Sequence, residues 1–328
     1  MKYLNDLYLK YLDGIAFKMS ASAVIALLLG SLLNLQFSAV ASVIAILSIQ
    51  DTRKKTLVFA KKRIIACLLA IFLSVIIYKF IGQSSLIFGV FLIIFIPLTS
   101  RLKVSEGMVP AVVLSTHLLI ADSINSFWII NEVLIMLIGV GVATISNLFM
   151  PSYVKEFNKD KEYIEEKYKW LLDKMANSLL SYTVDMNENK TIVELEKRLK
   201  DSLDRAYKIV NNKLLSADTY YVDYMTMRIN QFNIIMKLRQ HYEHFYMSFE
   251  QTYMISKFTQ NVSSKLHEKN DCSELLQELE ILREDFKKMA LPKTREEFEN
   301  RSQLLQFLND MEDLLKIKRS FILNNITE

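Results

Sequence analysis

Residues Asp51–Arg63 read DTRKKTLVFAKKR, with Arg53, Lys54, Lys55, Lys61, Lys62 and Arg63 set against a single Asp51 between two strongly apolar runs. Short loops rich in Lys and Arg are retained on the cytoplasmic face of a membrane. This one is therefore expected to fix the orientation of every flanking span. Its basic residues recur at helical spacing, with Lys54, Lys61 and Arg63 around Leu57, Val58 and Ala60. It then runs without Gly or Pro into the apolar stretch from Ile64 to Ile81. The expectation is one helix rising from the cytoplasm into the bilayer.

Outward from this loop, the 328 residues fall into two unlike parts. Residues 1–150 hold 12 Lys/Arg and 6 Asp/Glu, and the remainder 28 and 30, so the formal charge of +4 separates into +6 and −2. All seven glycines precede Pro151. That distribution fits membrane helices packed through small residues, followed by long polar helices. Apolar runs at about 15–35, 37–49, 64–81, 86–98, 104–121 and 127–150 predict six spans. The second and fourth runs are shorter than the roughly 20 residues that a straight spanning helix needs, and are expected to extend into flanking polar residues or to thin the bilayer. Asn34–Gln36, Lys79–Ser85 and Asp122–Ser126 carry little positive charge and are placed outside. The 51–63 loop and Arg101–Glu106 are placed inside, with both termini in the cytoplasm.

The fold class expected is all-α: a transmembrane domain of six helices over residues 1–151, then a cytoplasmic helical bundle over 152–328. Within the first, Tyr3, Leu4, Leu7, Tyr8, Tyr11 and Leu12 form an amphipathic stripe suited to the membrane surface or to packing on the soluble part. No cleavable leader is expected, because Asp6 and Asp13 precede the first apolar run. Soluble helices are predicted near 152–182, 188–216, 218–269 (broken once), 273–289 and 294–323. The best-marked start is Thr294-Arg-Glu-Glu297, a capping box two residues after Pro292. Cys67 and Cys272 fall in different parts, and no disulfide framework is implied.

Polar side chains within spans are expensive in hydrocarbon and mark cavities or partners. Lys18, Glu106, His117, Asn131, Glu132 and Asn147 qualify. Arg63, at the start of a span, carries a fixed charge and five donors suited to an anionic substrate, or serves as an ordinary positive-inside anchor. Lys18, Asn131 and Glu132 near span ends fit snorkelling equally well, and His117 fits either titration or interhelical packing. The path residues expected are Arg63, Lys18, Lys62, Arg101, Glu106 and His117. Pro97 and Pro110 bracket the inner loop between the fourth and fifth spans. In the soluble part His241 and His244 share a helix face, but no Cys or third His joins them, and no metal site is assigned. Phosphate loops, dinucleotide glycine patterns and nucleophile elbows are missing from the sequence. No cofactor, catalytic residue or nucleic-acid partner is expected, and an enzyme ranks last among the readings.

The arrangement Phe37-Ser-Ala-Val-Ala-Ser-Val-Ile, followed by Thr52 and a basic helix ending Arg63-Ile-Ile-Ala, resembles the aromatic acid exporter and fusaric acid resistance group, itself similar to the plant aluminium-activated malate transporters. The stretch Leu291-Pro-Lys-Thr-Arg-Glu-Glu-Phe-Glu-Asn-Arg301, with Leu304 to Phe321 after it, is similar to the end of the cytoplasmic domain of half-size bacterial members. Where relatives often carry Gly after the Arg, this chain has Ile65 and Ala66. The resemblance implies efflux of aromatic or other organic anions from a cell membrane. Since six spans are half the complement of full-size relatives, it also implies a homodimer with the basic loops at a shared cytoplasmic mouth. A membrane scaffold whose soluble helices bind a protein partner is the alternative.

Overall fold

The computed structural model describes residues 15–149, 153–181, 188–213, 218–242, 250–268 and 270–326. The amphipathic stripe at residues 3–12 lies outside them. Among the described residues the structure is helical, with no strand. The chain divides into two compact units, one of residues 1–152 with 211–216 and one of residues 153–210 with 217–328.

The first unit contains α1 (Ile15–Leu32), α2 (Ala39–Ser48), α3 (Arg53–Phe80), α4 (Ser85–Arg101), a 3-10 turn (Ser105–Gly107), α5 (Met108–Ile120) and α6 (Ser126–Leu148). Three of these, α1, α3 and α6, are long and apolar enough to cross a membrane, and α2, α4 and the Ser105–Ile120 segment are shorter apolar helices. The basic loop and the following apolar run form one continuous helix of 28 residues. It is capped by Thr52, whose hydroxyl accepts from the Lys55 N–H at 3.3 Å. A side-chain oxygen at that position satisfies an amide with no intrahelical partner, so the basic stretch starts a helix. The second apolar run, by contrast, is helical for only 10 residues. Pro97 sits inside α4, and Pro110 in the first turn of α5, where a missing N–H costs little.

Helix α3 packs against both α5 and α6, α2 against α1 and α6, and α1 also against α6. Glycines allow the closest of these approaches. A Cβ on Gly139 would lie 2.6 Å from the Ile44 Cβ and 2.7 Å from the Ala41 carbonyl oxygen. Helix α1 buries only Ser22, Ala26 and Gly30 and turns Phe17, Leu28 and Leu32 outward. In a soluble protein that apolar surface would be costly, whereas against lipid it needs no cover.

The second unit contains α7 (Val154–Ser181), α8 (Glu188–Asn212 as far as Val210), α9 (Tyr220–Tyr242), α10 (Glu250–Lys265), α11 (Ser273–Lys288) and α12 (Arg295–Ile326). Helices α7 and α10 pair, as do α9 and α12, around a core that includes Tyr168, Leu172, Tyr224, Ile235, Phe307 and Leu314. Polar groups are buried in it as well. Arg228 is fully enclosed and donates to the Tyr224 hydroxyl at 2.9 Å, to Gln231 Oε1 at 3.0 Å and to Glu165. Lys318, also enclosed, donates to the His267 carbonyl. Burial, helped by the nearby Arg228 charge, lowers the Lys318 ammonium from 10.5 to about 8. Burial likewise pushes the Tyr168, Tyr220 and Tyr224 phenols well above their ordinary value.

Helix α12 begins as its sequence predicts, with Thr294 Oγ1 accepting from the Glu297 N–H at 3.1 Å. The reciprocal bond is displaced by one residue, because the Glu297 carboxylate accepts from the Lys293 N–H at 2.8 Å.

Candidate functional site

One face of α3 carries the polar groups of the apolar unit. Its buried positions include Thr56, Arg63, Cys67, Ser74 and Tyr78, which recur every three or four residues or multiples of that spacing. At 1.5 Å per residue, Thr56 to Tyr78 spans about 33 Å, roughly the hydrocarbon thickness of a bilayer. This buried file runs against α5 and α6, and its members meet partners from several helices.

Arg63 stands at the basic end and is 4% exposed. One guanidinium nitrogen donates to Ser48 Oγ on α2, and another to the Glu106 carbonyl at 3.3 Å. The Nε–H, equally buried, has no hydrogen-bond partner. The Glu106 carboxylate is engaged elsewhere, by the Lys62 ammonium at 2.5 Å. Among the described residues no carboxylate pairs with Arg63. A guanidinium remains charged at any physiological pH, so a buried positive charge is held here by one hydroxyl and one carbonyl alone. Close backbone packing makes this possible. A Cβ on Gly107 would lie 2.7 Å from the Arg63 Cα and 2.7 Å from the Ala66 Cβ, so only glycine lets the 3-10 turn bring the Glu106 carbonyl over Arg63.

A second set of polar contacts lies one and a half to two helical turns before Arg63. Asn147 of α6 donates to Thr56 Oγ1 and to the Gln50 carbonyl at 2.8 Å, tying α6 to the loop before α3. Further along, Ser74 donates to Ser115 Oγ at 2.7 Å, and the Tyr78 hydroxyl lies 2.8 Å from the same oxygen. All three are buried.

His117 belongs to a separate cluster, on α5 some ten residues beyond Gly107. Its Nδ1 lies 2.8 Å from Glu132 Oε2 on α6, and the other Glu132 oxygen accepts from Asn131 Nδ2 at 3.0 Å. Asn131 also bridges the α1–α2 turn, accepting from the Gln36 N–H at 2.9 Å and donating to the Gln36 carbonyl at 3.1 Å. The next residue, Phe37, has φ +56°, a conformation costly for a bulky side chain, and its ring stacks on His117 with centroids 4.3 Å apart. The sequence reading allowed Asn131 and Glu132 to be snorkelling groups. Both are instead at most 2% exposed and hydrogen-bonded.

Of the path residues expected from sequence, Arg63, Lys62 and Glu106 come together. His117 stands apart, in the cluster with Glu132 and Asn131. Lys18 reaches the Phe149 carbonyl at 3.0 Å, where it satisfies a helix end. Arg101 is exposed at the last turn of α4. Ser48, Ser74 and Ser115 were not singled out from sequence, and Tyr78, which the sequence places among interfacial aromatics at an outer span end, is instead buried and within hydrogen-bond distance of Ser115. The repeat Arg63, Cys67, Ser74, Tyr78 along one helical face was the available signal. In the second unit His241 pairs through Nε2 with Asp310 at 2.7 Å, beside Lys237 at 2.6 Å from the same carboxylate. His244 lies outside the described residues.

Apolar helices with an outward apolar surface, enclosing a buried cation and three polar clusters, define a helical membrane protein. The family comparison assigns it further. A model described as "Aromatic acid exporter family member 1" matches residues 14–150, and one described as "Putative aromatic acid exporter C-terminal domain" matches residues 154–319. The chain belongs to the aromatic acid exporter family. It is 34% identical over 304 residues to "Uncharacterized protein YqjA" of Bacillus subtilis (strain 168), covering 93% of this chain and 94% of that one. A crystal structure of a "putative membrane protein from Clostridium difficile 630" is similar to 52% of this chain and 99% of its own, at 21% identity and TM-score 0.47.

Proposed function

We propose that the protein exports aromatic or other organic acids across the cell membrane, as a transporter or anion-permeable pore, with Arg63 as the anion-attracting group of the path. In this reading the six apolar helices all span, the basic start of α3 faces the cytoplasm, both termini lie there, and two copies assemble around the path. The observation that carries it is the buried Arg63 guanidinium, which has no carboxylate partner among the described residues. An enclosed charge that the protein itself leaves uncompensated is strongly disfavoured, and a passing anion supplies the missing countercharge. Guanidinium suits a carboxylate in particular, since its planar donors match the two oxygens. The buried hydroxyls of Ser74, Tyr78 and Ser115 continue the polar face of α3 beyond it. Family membership supports export over catalysis.

The test is efflux of 4-hydroxybenzoate from proteoliposomes. Arg63→Gln, which keeps donors but removes charge, is expected to lower flux at least tenfold, while Lys54→Ala, in the first turn of α3, leaves it near wild type. Equal flux in wild type and Arg63→Gln refutes the assigned role. No flux above empty liposomes in wild type or in Lys54→Ala refutes export of this substrate. The dimer is tested separately by mass measurement in lipid discs.

A further inference from the structure

The apolar unit encloses one ionisable pair that the export reading does not use, at the end of α5 away from Arg63. His117 lies three residues before Ile120, the last residue of α5, and Glu132 six residues after Ser126, the first of α6. At 1.5 Å per residue these are about 4.5 and 9 Å from the helix ends. The two side chains meet at 2.8 Å but are not equally enclosed, since that of His117 keeps 8% exposure and that of Glu132 none. Nδ1 of His117 is engaged by Glu132, and Nε2 makes no hydrogen bond among the described residues. An imidazole takes up a proton at one nitrogen while it holds a partner with the other. Glu132 therefore exchanges protons with its surroundings through His117.

No fixed charge balances the pair. Among the described residues α2 carries no titratable side chain, and the basic residues of α1 and α4, Lys18 and Arg101, stand at the other end of their helices. From α3, the Tyr78 hydroxyl meets Ser115 and Lys79 is exposed; between α5 and α6, Asp122 is exposed. The second Glu132 oxygen accepts from Asn131 Nδ2 at 3.0 Å, a neutral donor. With a proton bound, the pair is an imidazolium on a carboxylate and has no net charge. With that proton gone, it is an imidazole on a carboxylate and encloses one negative charge. Such a charge inside an apolar bundle is strongly disfavoured unless water or a partner reaches it.

The α1–α2 turn covers this pair and is fastened to it at two points. Asn131, next to Glu132, holds the Gln36 N–H at 2.9 Å and the Gln36 carbonyl at 3.1 Å. Phe37 lays its ring on His117, with centroids 4.3 Å apart and planes at 19°, from a backbone at φ +56°. A bulky residue keeps that left-handed conformation only while the contacts around it hold. We infer that His117 and Glu132 form a proton-binding site whose occupancy keeps the α1–α2 turn closed over this end of the helices. The bound proton keeps the pair neutral; its loss draws water to the carboxylate and frees Phe37 and Gln36. Where the helices form the export path, this turn is a gate at the end opposite Arg63, and that clause alone rests on the export reading.

Phe37 also lies 6.1 Å from Trp128, centroid to centroid, and Trp128 is one of only two tryptophans. In a Trp170→Phe background its emission therefore reports on the turn. The full-length protein in lipid discs is titrated between about pH 5 and 8, the range in which histidine changes charge. Emission is expected to move to longer wavelength as pH rises, along a reversible one-proton curve. That curve is expected to vanish in His117→Gln and in Glu132→Gln and to persist in Asp122→Asn, which neutralises the exposed neighbour. A pair that merely packed the helices would shift the emission without making it depend on pH. A second measurement needs no variant: exchange of the Gln36 amide hydrogen in wild type, corrected for its intrinsic pH dependence, is expected to lose protection at least tenfold across the same range. Emission that ignores pH, a curve that survives Glu132→Gln, or unchanged Gln36 protection each overturns the assignment. In proteoliposomes 4-hydroxybenzoate flux is expected to rise along the same curve, and flux that ignores it overturns the gate. Absence of any wild-type flux refutes export of this substrate and leaves the titration standing.

Discussion

Substituting Gly107 by alanine adds one methyl group at the tightest backbone approach beside Arg63. The new Cβ would sit 2.7 Å from the Arg63 Cα, 2.7 Å from the Ala66 Cβ and 3.1 Å from the Lys62 carbonyl oxygen. Carbon atoms rest at about 3.5–4.0 Å, so the turn and α3 must part by roughly an ångström. Two costs follow. Overpacking of a well-filled contact costs about 1–3 kcal/mol. The Glu106 carbonyl, already 3.3 Å from the Arg63 nitrogen, moves out of range, which removes a bond to a charged donor worth about 1.5–3 kcal/mol. The sum is about 2.5–6 kcal/mol. At about 2–4 °C per kcal/mol for a unit of this size, the membrane unit is expected to melt roughly 5–24 °C lower. Gly141→Ala is the matched control, since a Cβ there meets nothing within 4 Å. It gains helix propensity of about 1 kcal/mol and is expected to be neutral or stabilising. Thermal unfolding of both variants in lipid discs decides the matter. If Gly107→Ala melts with Gly141→Ala, the packing argument for this turn is wrong.

Further outcomes can be checked on the same preparation. Thr294→Ala removes the acceptor for the Glu297 N–H and is expected to cost about 0.5–2 kcal/mol; an unchanged denaturation midpoint of the bundle would remove the cap from the account. Lys318 titrates near 8 when folded and at 10.5 when exposed, so below pH 8 both states hold the proton and its burial cost is constant. Between pH 8 and 10.5 only the unfolded chain retains it, so stability rises with pH, by roughly 3 kcal/mol in all. The Tyr168, Tyr220 and Tyr224 phenols act oppositely above pH 10. The clean measurement is therefore wild type minus Lys318→Met from pH 7.5 to 9.5, and a difference that stays flat refutes the assignment. Asn131→Ala strands the Gln36 N–H and carbonyl and one Glu132 oxygen, and is expected to cost about 2–4 kcal/mol of membrane-unit stability by thermal unfolding; an unchanged midpoint would mean that water replaces the bridge.

What could be read from the sequence was periodic or local. The basic loop joined to an apolar run without Gly or Pro does form one helix, α3. The Thr294 signature does begin another, with only the return bond from Glu297 displaced. Contacts between residues far apart in the chain were not legible. Nothing in the neighbourhood of Lys18 announces the Phe149 carbonyl, 131 residues away, nor does the setting of Asn131 announce Gln36. Lys18 and Arg63 looked alike as basic residues near span ends. They differ because one meets a helix terminus and the other a glycine-permitted turn.

The unbroken length of α3 has a mechanical consequence. A helix of 28 residues rises about 42 Å and carries Thr56, Arg63, Ser74 and Tyr78 on one rod with no proline or glycine to act as a joint. A tilt of about 5° about its midpoint carries its two ends roughly 2 Å in opposite directions, enough to break a hydrogen bond at one end while pressing the other end more tightly against its neighbours. The Asn147–Thr56 contact and the Ser74–Tyr78–Ser115 contacts lie on opposite sides of that midpoint. Rocking the rod therefore shifts its contact with α6 and its contacts with α5 together, in opposite directions.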